Sequence, residues 1–504
     1  MTNDTTTAPP SSSASADEPV PSEASFDADR RRNNLVIGLL LVSTFVVILN
    51  ETIMSVALPT LVRDLHVQAA TAQWLTTGFL LTMAVVIPIT GYLLTRFNTR
   101  PLFIMAMTFF SIGTLLAVVA PGFSVLLVAR IIQACGTAIM MPLLMTTAMT
   151  LVPPASRGRM MGNISIVISV APAIGPTISG LILSVFSWRF MFVIVLPIAI
   201  IALVLGAVKM KNVTVPRKSS IDVLSVVLSA FAFGGLLYGL SSIGEAASGS
   251  PQVVAPVVPV IVGVVALALF ALRQVRLSRR DRALLDLRTF KTPAFAVSIV
   301  MIAIMSLALF GSLIILPIYM QNVLGLSTLS TGLLLLPGGI VMGALAPIVG
   351  RIYDRVGPTA LLVVGSVLVS LALWLMRFLL GEGSPAYMVP IVHIVLSIGL
   401  ACTFTPLFSA ALGSLKPDLY SHGSAILNTV QQVAAGAGTA LFVTLLATGS
   451  AAQIKLGATP ISATAGGVQA AFMVGAIISL FPIVASFFVR KPPVVEGAPR
   501  PMAH

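Results

Sequence analysis

PLFIMAMTFFSIGTLLAVVAPGFSVLLVA, residues 101–129, runs for 29 residues without a charged side chain, between Arg100 and Arg130. A helix of about 20 apolar residues crosses a bilayer, so this run is too long for one span. The Pro121-Gly122 pair supplies the turn that makes it a transmembrane hairpin. The rest of the chain has the same character. Of 504 residues, 57% are hydrophobic and 9% charged, where a soluble domain carries roughly 25% charged residues. Membrane barrels show short alternating segments, so long continuous apolar runs select helices. A soluble enzyme, a nucleic-acid-binding protein and a β-barrel are excluded, leaving an all-α integral membrane protein.

Cutting at charges, Pro/Gly turns and polar clusters gives fourteen spans, at 35–58, 72–94, 102–121, 123–150, 160–185, 190–209, 222–243, 252–272, 294–318, 330–350, 358–380, 386–412, 423–448 and 467–489. If the N-terminus is inside, 24 of the 29 Lys and Arg fall in inner loops and tails. Arg63, Arg189, Arg377 and Lys455 fall outside, and Arg130 lies within span four. That bias predicts both termini in the cytoplasm. It also explains the net charge of +13 through loops facing anionic membrane lipid rather than nucleic acid. Residues 1–34 are rich in Ser, Thr, Ala, Pro and acids and read as a disordered cytoplasmic tail. No secretory signal is evident, because the first apolar stretch is longer than a signal segment. Residues 491–504 form a second cytoplasmic tail. Residues 273–291 carry seven basic residues beside Leu284, Leu285, Leu287 and Phe290, which suggests an amphipathic connector on the inner leaflet.

An internal repeat divides the chain. IPITGYLLTRFNTRPL (87–102) aligns with APIVGRIYDRVGPTAL (346–361), matching Pro88 with Pro347, Gly91 with Gly350 and Arg96 with Arg355. Both copies follow an even-numbered span, as two parallel halves require.

The chain has no phosphate-cradling G-x-x-x-x-G-K-[ST] loop and no H-E-x-x-H pair. Cys135 and Cys402 both lie in apolar segments and suggest neither a disulfide nor a metal site. No cofactor or metal is expected. Glu51 is the one acid well inside a span, and an intramembrane acid should face the bundle interior or a wet cavity. A proton and an approaching cation would compete for it, which makes it the coupling candidate; the bland reading is an outer-mouth residue in bulk water. Arg130, with Gln133 on the same helical face, is either a fixed charge tuning a carboxyl or a structural arginine. Span five contains Gly162, Gly175, Pro176 and Gly180, suited to close helix crossing. Asn428, Gln431 and Gln432 share one face of span thirteen, placed to bind substrate or to join helices. Tyr319 and Gln321 close span nine in a similar way.

These motifs in order resemble the major facilitator superfamily, specifically its fourteen-spanner drug:proton antiporter branch, the EmrB/QacA-like multidrug efflux transporters. The resemblance covers residues 35–490. It rests on LNETIMSVALP (49–59), GYLLTRFNTR (91–100), LVARIIQACGTA (127–138), GPTISG (175–180), SWRFMFVIVLP (187–197), LPIYMQNVLGLS (316–327) and GSAILNTVQQ (423–432). It implies two six-helix bundles, 35–210 and 293–490. Residues 211–292 would supply two extra helices and the basic connector. The bundles would rock about a central cavity, with Glu51 and Arg130 coupling protons. Asn50, Gln133, Asn428, Gln431, Gln432, Tyr319 and Gln321 are then cavity candidates. The resemblance makes Gly162, Gly175, Pro176 and Gly180 the antiporter motif of span five. It makes Gly91, Arg96, Arg100, Gly350, Asp354 and Arg355 gating-loop residues. Two departures stand out: the branch's usual span-one acid falls at Asn50, with Glu51 one place later, and the first gating loop has Thr95 where the second keeps Asp354. The implied activity is proton-coupled efflux of an amphipathic, drug-like small molecule across the plasma membrane by a monomer, without enzymatic chemistry. A lipid, metabolite or specific antibiotic as cargo, or a membrane scaffold or sensor on the same fold, are the alternatives.

Overall fold

A computed structural model describes residues 23–213, 221–247, 254–279 and 282–490. Among them there are helices and turns but no strands. The first half comprises α1 (Glu23–Asp64), α2 (Ala69–Arg96), α3 (Thr99–Val118), α4 (Phe123–Leu151), α5 (Arg157–Val185) and α6 (Arg189–Lys209). The seventh span is α7 (Val223–Ser229) and α8 (Gly235–Ala247), joined by a π turn at Ala230–Gly234; the eighth is α9 (Val257–Ser278). The second half comprises α10 (Pro293–Asn322), α11 (Thr328–Val356), α12 (Thr359–Leu379), α13 (Met388–Gly413) and α14 (Tyr420–Lys455), and then α15 (Pro460–Ile478) with α16 (Leu480–Ala485). Among the described residues, fourteen spans are long and apolar enough to cross a membrane.

The hairpin of residues 101–129 turns at residues 119–122, as its length demands. Small residues let its arms approach: a side chain at Gly113 would strike the backbone of Ala129 and Gln133. Within the halves, α1 packs on α4, α5 and α6, α3 on α4 and α6, α10 on α13 and α14, and α12 on α13 and α15. The halves meet along α5 against α11 and α2 against α14. The inserted pair lies beside the second crossing, with α8 against α14 and α2 and Trp74 stacked on Tyr238 at 5.9 Å.

Three expectations change. Residues 23–34, expected to belong to the tail over 1–34, are helical; residues 1–22 lie outside the described residues, as do 491–504. Extending a formed helix costs far less than nucleating one, and α1 is already anchored by its apolar span. Second, α9 continues to Ser278 and carries Arg273 and Arg276 on the helix, where long side chains reach the interface from an apolar stem. Third, two of the connector's leucines turn away from lipid, while Leu287 is half-buried and Phe290 exposed. Leu284 and Leu285 are buried in the protein, and Gln274 Oε1 accepts from the Leu284 amide at 2.8 Å. A backbone amide buried with its side chain needs a hydrogen-bond partner, and Gln274 supplies it here.

Candidate functional site

Three successive residues of α1 point in three directions, because each step of a helix turns about 100°. Asn50 faces α4 and is buried. Its Oδ1 accepts from Arg130 Nη1 at 3.1 Å. Thr52 faces α5, where a side chain at Gly175 would collide with it. Glu51, between them, lines a cavity of about 110 Å³ between the halves.

Arg130 is almost wholly buried. Nη1 also donates to Gln133 Oε1 at 3.0 Å, Gln133 Nε2 donates to Thr114 Oγ1 at 2.8 Å, and the guanidinium lies 4.0 Å from the centre of the Phe79 ring. Nε has no hydrogen-bond partner among the described residues. Two neutral amides take up the Nη1 donors and an aromatic ring lies against the guanidinium, so no hydrogen-bond partner carries a counter-charge. Glu51, one residue along α1 from the Asn50 that bonds Arg130, makes no hydrogen bond to a described residue and stays open to the cavity.

The opposite wall comes from α14. Asn428 Nδ2 donates to Ser424 O at 2.8 Å, while Gln431 and Gln432 line the cavity with no partner among the described residues. Thr44, Thr137, Met83, Met141 and Phe310 complete a mainly apolar lining with few polar groups, the composition expected of a small-molecule site. The cavity therefore collects Glu51, Asn428, Gln431 and Gln432, on helices far apart in sequence.

Other candidates fall elsewhere. Asn50 and Gln133 are tied up around Arg130 instead of lining the cavity. Tyr319 is buried with its hydroxyl donating to Gly381 O at 2.9 Å, and Gln321 is exposed; both sit at the end of α10, away from the cavity. A side chain at Gly180 would meet nothing within 4 Å, so no close crossing requires that glycine. Pro176 is within α5, its side chain outside the described residues.

The face carrying most basic residues is closed by contacts between the halves. Asp354 accepts from the Gly158 amide at 2.8 Å and the Arg159 amide at 2.9 Å, capping α5 from α11. A side chain at Gly162 would strike the backbone of Ala346 and Pro347, and one at Gly350 the backbone of Gly158. Thr146 and Ser424 hydroxyls meet at 2.7 Å, and Thr405 donates to Ser165 at 3.0 Å. A Cβ at Gly91 would come within 3.1 Å of Leu284 O and 3.3 Å of His422 Nδ1, so this glycine admits the connector. Arg96 and Arg355 are exposed. Arg100 bonds Ala207 O at 2.5 Å within its own half. The loop arginines thus stand outside the seal, because a buried guanidinium needs partners that these crossings of small residues do not offer. Sequence reasoning missed Gly158. Its signal was available: Gly158 and Gly162 on α5, and Ala346 and Gly350 on α11, are spaced by four, the small-residue spacing that lets membrane helices touch. Thr114 and Phe79 gave no comparable signal.

Two helical halves enclosing a titratable cavity and sealed at one end define a membrane transporter. The Major Facilitator Superfamily profile matches residues 40–439. The lincomycin resistance protein LmrB of Listeria monocytogenes is 40% identical over 461 residues, covering 90% of this chain and 96% of that one. The multidrug resistance protein B homolog of Mycobacterium tuberculosis is 31% identical over 412 residues, covering 81% and 75%. The crystal structure of the human organic anion transporter MFSD10 (TETRAN) superposes with a TM-score of 0.64 over 90% of this chain and 99% of that one, at 14% identity, and so shares the fold. The chain belongs to the major facilitator superfamily, and it is a transporter rather than an enzyme.

Proposed function

We propose that the chain exports amphipathic, drug-like compounds from the cytoplasm in exchange for protons, with the basic face and both termini cytoplasmic in the plasma membrane. One observation carries the proposal: Glu51, an acid well inside its span, is open to the cavity between the halves, beside an arginine whose charge no hydrogen-bond partner balances. A carboxylate there holds a cation or a proton but not both, so loading one releases the other. Gln431 and Gln432 offer uncommitted amides for orientation, and Met83, Met141 and Phe310 offer adaptable apolar contact. Two relatives bear names of drug and lincomycin resistance, which favours small organic cargo over lipid and makes lincomycin the first compound to try. Inward proton movement supplies about 2.3 kcal/mol per charge per 100 mV, without ATP.

The test is transport in proteoliposomes under an imposed pH gradient, following lincomycin and a fluorescent cationic dye. Wild-type accumulation should collapse with a protonophore, and Glu51→Gln and Arg130→Ala should each reduce it at least about tenfold, as expected for intramembrane ionisable groups on a proton path. Gradient-driven movement that survives Glu51→Gln removes that residue from coupling. No movement of either compound turns the proposal toward lipid or metabolite cargo.

A further inference from the structure

A second concavity is remote from the central cavity. Between α7 and α9, at the basic face, lies a groove of about 850 Å³ whose walls include Leu224, Leu228, Leu269 and Leu272 and whose end is formed by Arg276 and Arg279. On α9, Leu269, Leu272 and Arg276 recur at helical spacing, so leucines give way to arginines along one face as the helix leaves the apolar region.

The charged end is held by fixed partners. Arg273, the third arginine there, is not free: its Nε and Nη2 bond both oxygens of Asp222, at 2.6 and 2.7 Å, across the mouth of the groove. Beneath it Gln274 donates to Ser225 at 2.8 Å and accepts from the Leu284 amide at 2.8 Å. Asp222 thus neutralises Arg273 and pins α7 to α9. Arg276 and Arg279 remain exposed, with no acidic partner among the described residues.

We propose that this groove is a binding site for an anionic phospholipid, one acyl chain against the leucines and the headgroup phosphate between Arg276 and Arg279. Every outward face of a membrane protein meets lipid. Here an apolar channel ends at two guanidinium groups with no acidic partner among the described residues, whose planar forks match phosphate oxygens. A zwitterionic headgroup would bring its own cation up against the two guanidinium groups, whereas an anionic headgroup brings the phosphate charge without one. The bound lipid would fill the gap between the inserted spans and steady them beside α2 and α14. This assignment does not depend on the transport proposal.

The test is native mass spectrometry of the full chain released from nanodiscs of equimolar phosphatidylcholine and phosphatidylglycerol. The wild type should retain phosphatidylglycerol in preference. Arg276→Gln with Arg279→Gln should lower that retention roughly ten- to thirtyfold, from the attraction of two basic residues to anionic lipid. Leu228→Trp with Leu269→Trp, which fills the channel and leaves the arginines, should lower it too. Lys416→Gln with Arg490→Gln, on the same face but off the groove, should not. Unchanged retention in the arginine variant overturns the proposal, and so does an equal fall in the Lys416/Arg490 variant, which would make the attraction diffuse. Unchanged retention in the tryptophan variant, or displacement of the lipid by inorganic phosphate, would assign the arginines to a soluble anion and overturn it as well.

Discussion

Asn50 and Glu51 are neighbours with opposite duties. Asn50 spends its carbonyl oxygen on Arg130, and replacing it with leucine strands a buried cation. A hydrogen bond to a charged group contributes about 1.5–3 kcal/mol, so Asn50→Leu should lower stability by about that much, visible as a fall in the thermal unfolding midpoint in detergent. Glu51 makes no hydrogen bond to a described residue and faces the cavity, so Glu51→Gln breaks no hydrogen bond and should lower the unfolding midpoint less than Asn50→Leu while removing coupled transport. The same pair of measurements separates a structural residue from a functional one. Glu51 and Arg130 were legible in the sequence because charge inside an apolar run is conspicuous. Which way each side chain points was not, since a one-residue displacement of the acid turns it by about 100° and only the packed helices say toward what. Thr114 and Phe79 were invisible for a related reason: threonine and phenylalanine are unremarkable in a span until an arginine lies against them.

The end of α5 shows how an element is fixed from outside itself. Its first amides have no intrahelical partners, and Asp354 of α11 accepts from two of them. The matching position in the first repeat is Thr95, whose hydroxyl is spent on Tyr92 O at 2.8 Å in its own helix. The repeat is therefore symmetric in fold and unsymmetric in its latch, which the Asp354/Thr95 difference foreshadowed. Asp354→Asn keeps one acceptor oxygen and loses the charge, at a cost of about 0.5–2 kcal/mol by analogy with helix caps. Residues 157–162 should then exchange amide hydrogens faster, while the far end of α5 stays unchanged. On the inserted pair, Asp222 caps α7 just outside its span, and the hydrogen bond from Arg273 holds its carboxyl well below the usual carboxylate range. A depressed native pKa stabilises above the unfolded value, near 3.9, and the contribution is lost as pH falls through the native value. Anchoring of α7 to α9 should thus be flat from about pH 5 upward. Asp222→Asn should weaken it across that whole range, read as faster exchange in residues 223–229.

At the scale of the molecule, fourteen spans and two parallel halves were readable from apolar length, loop charge and the repeat, because the bilayer imposes those features on sequence. The crossings between halves were readable only in part. Gly162 and Gly350 were singled out, but which glycine meets which backbone depends on how two distant helices lean together, and neither helix encodes that alone. Their contact sets the closed state of the basic face. The halves touch backbone to backbone at Gly158, Gly162, Ala346 and Gly350, so a side chain added there is a wedge at one end of the interface. Overpacking costs about 1–3 kcal/mol, and it falls on the closed arrangement alone if the halves separate as rigid bodies. Gly350→Leu should therefore lower the closed population by roughly five- to 150-fold relative to open. Cysteines at Thr146 and Ser424, whose hydroxyls lie 2.7 Å apart across the seal, report this directly: oxidative cross-linking between them should slow in the Gly350→Leu background. The same wedge should depress transport without disturbing the Arg130 network, which lies within the first half. Cross-linking that proceeds at the same rate would mean that the wedge is absorbed locally and that the α5–α11 crossing is not where the basic face opens.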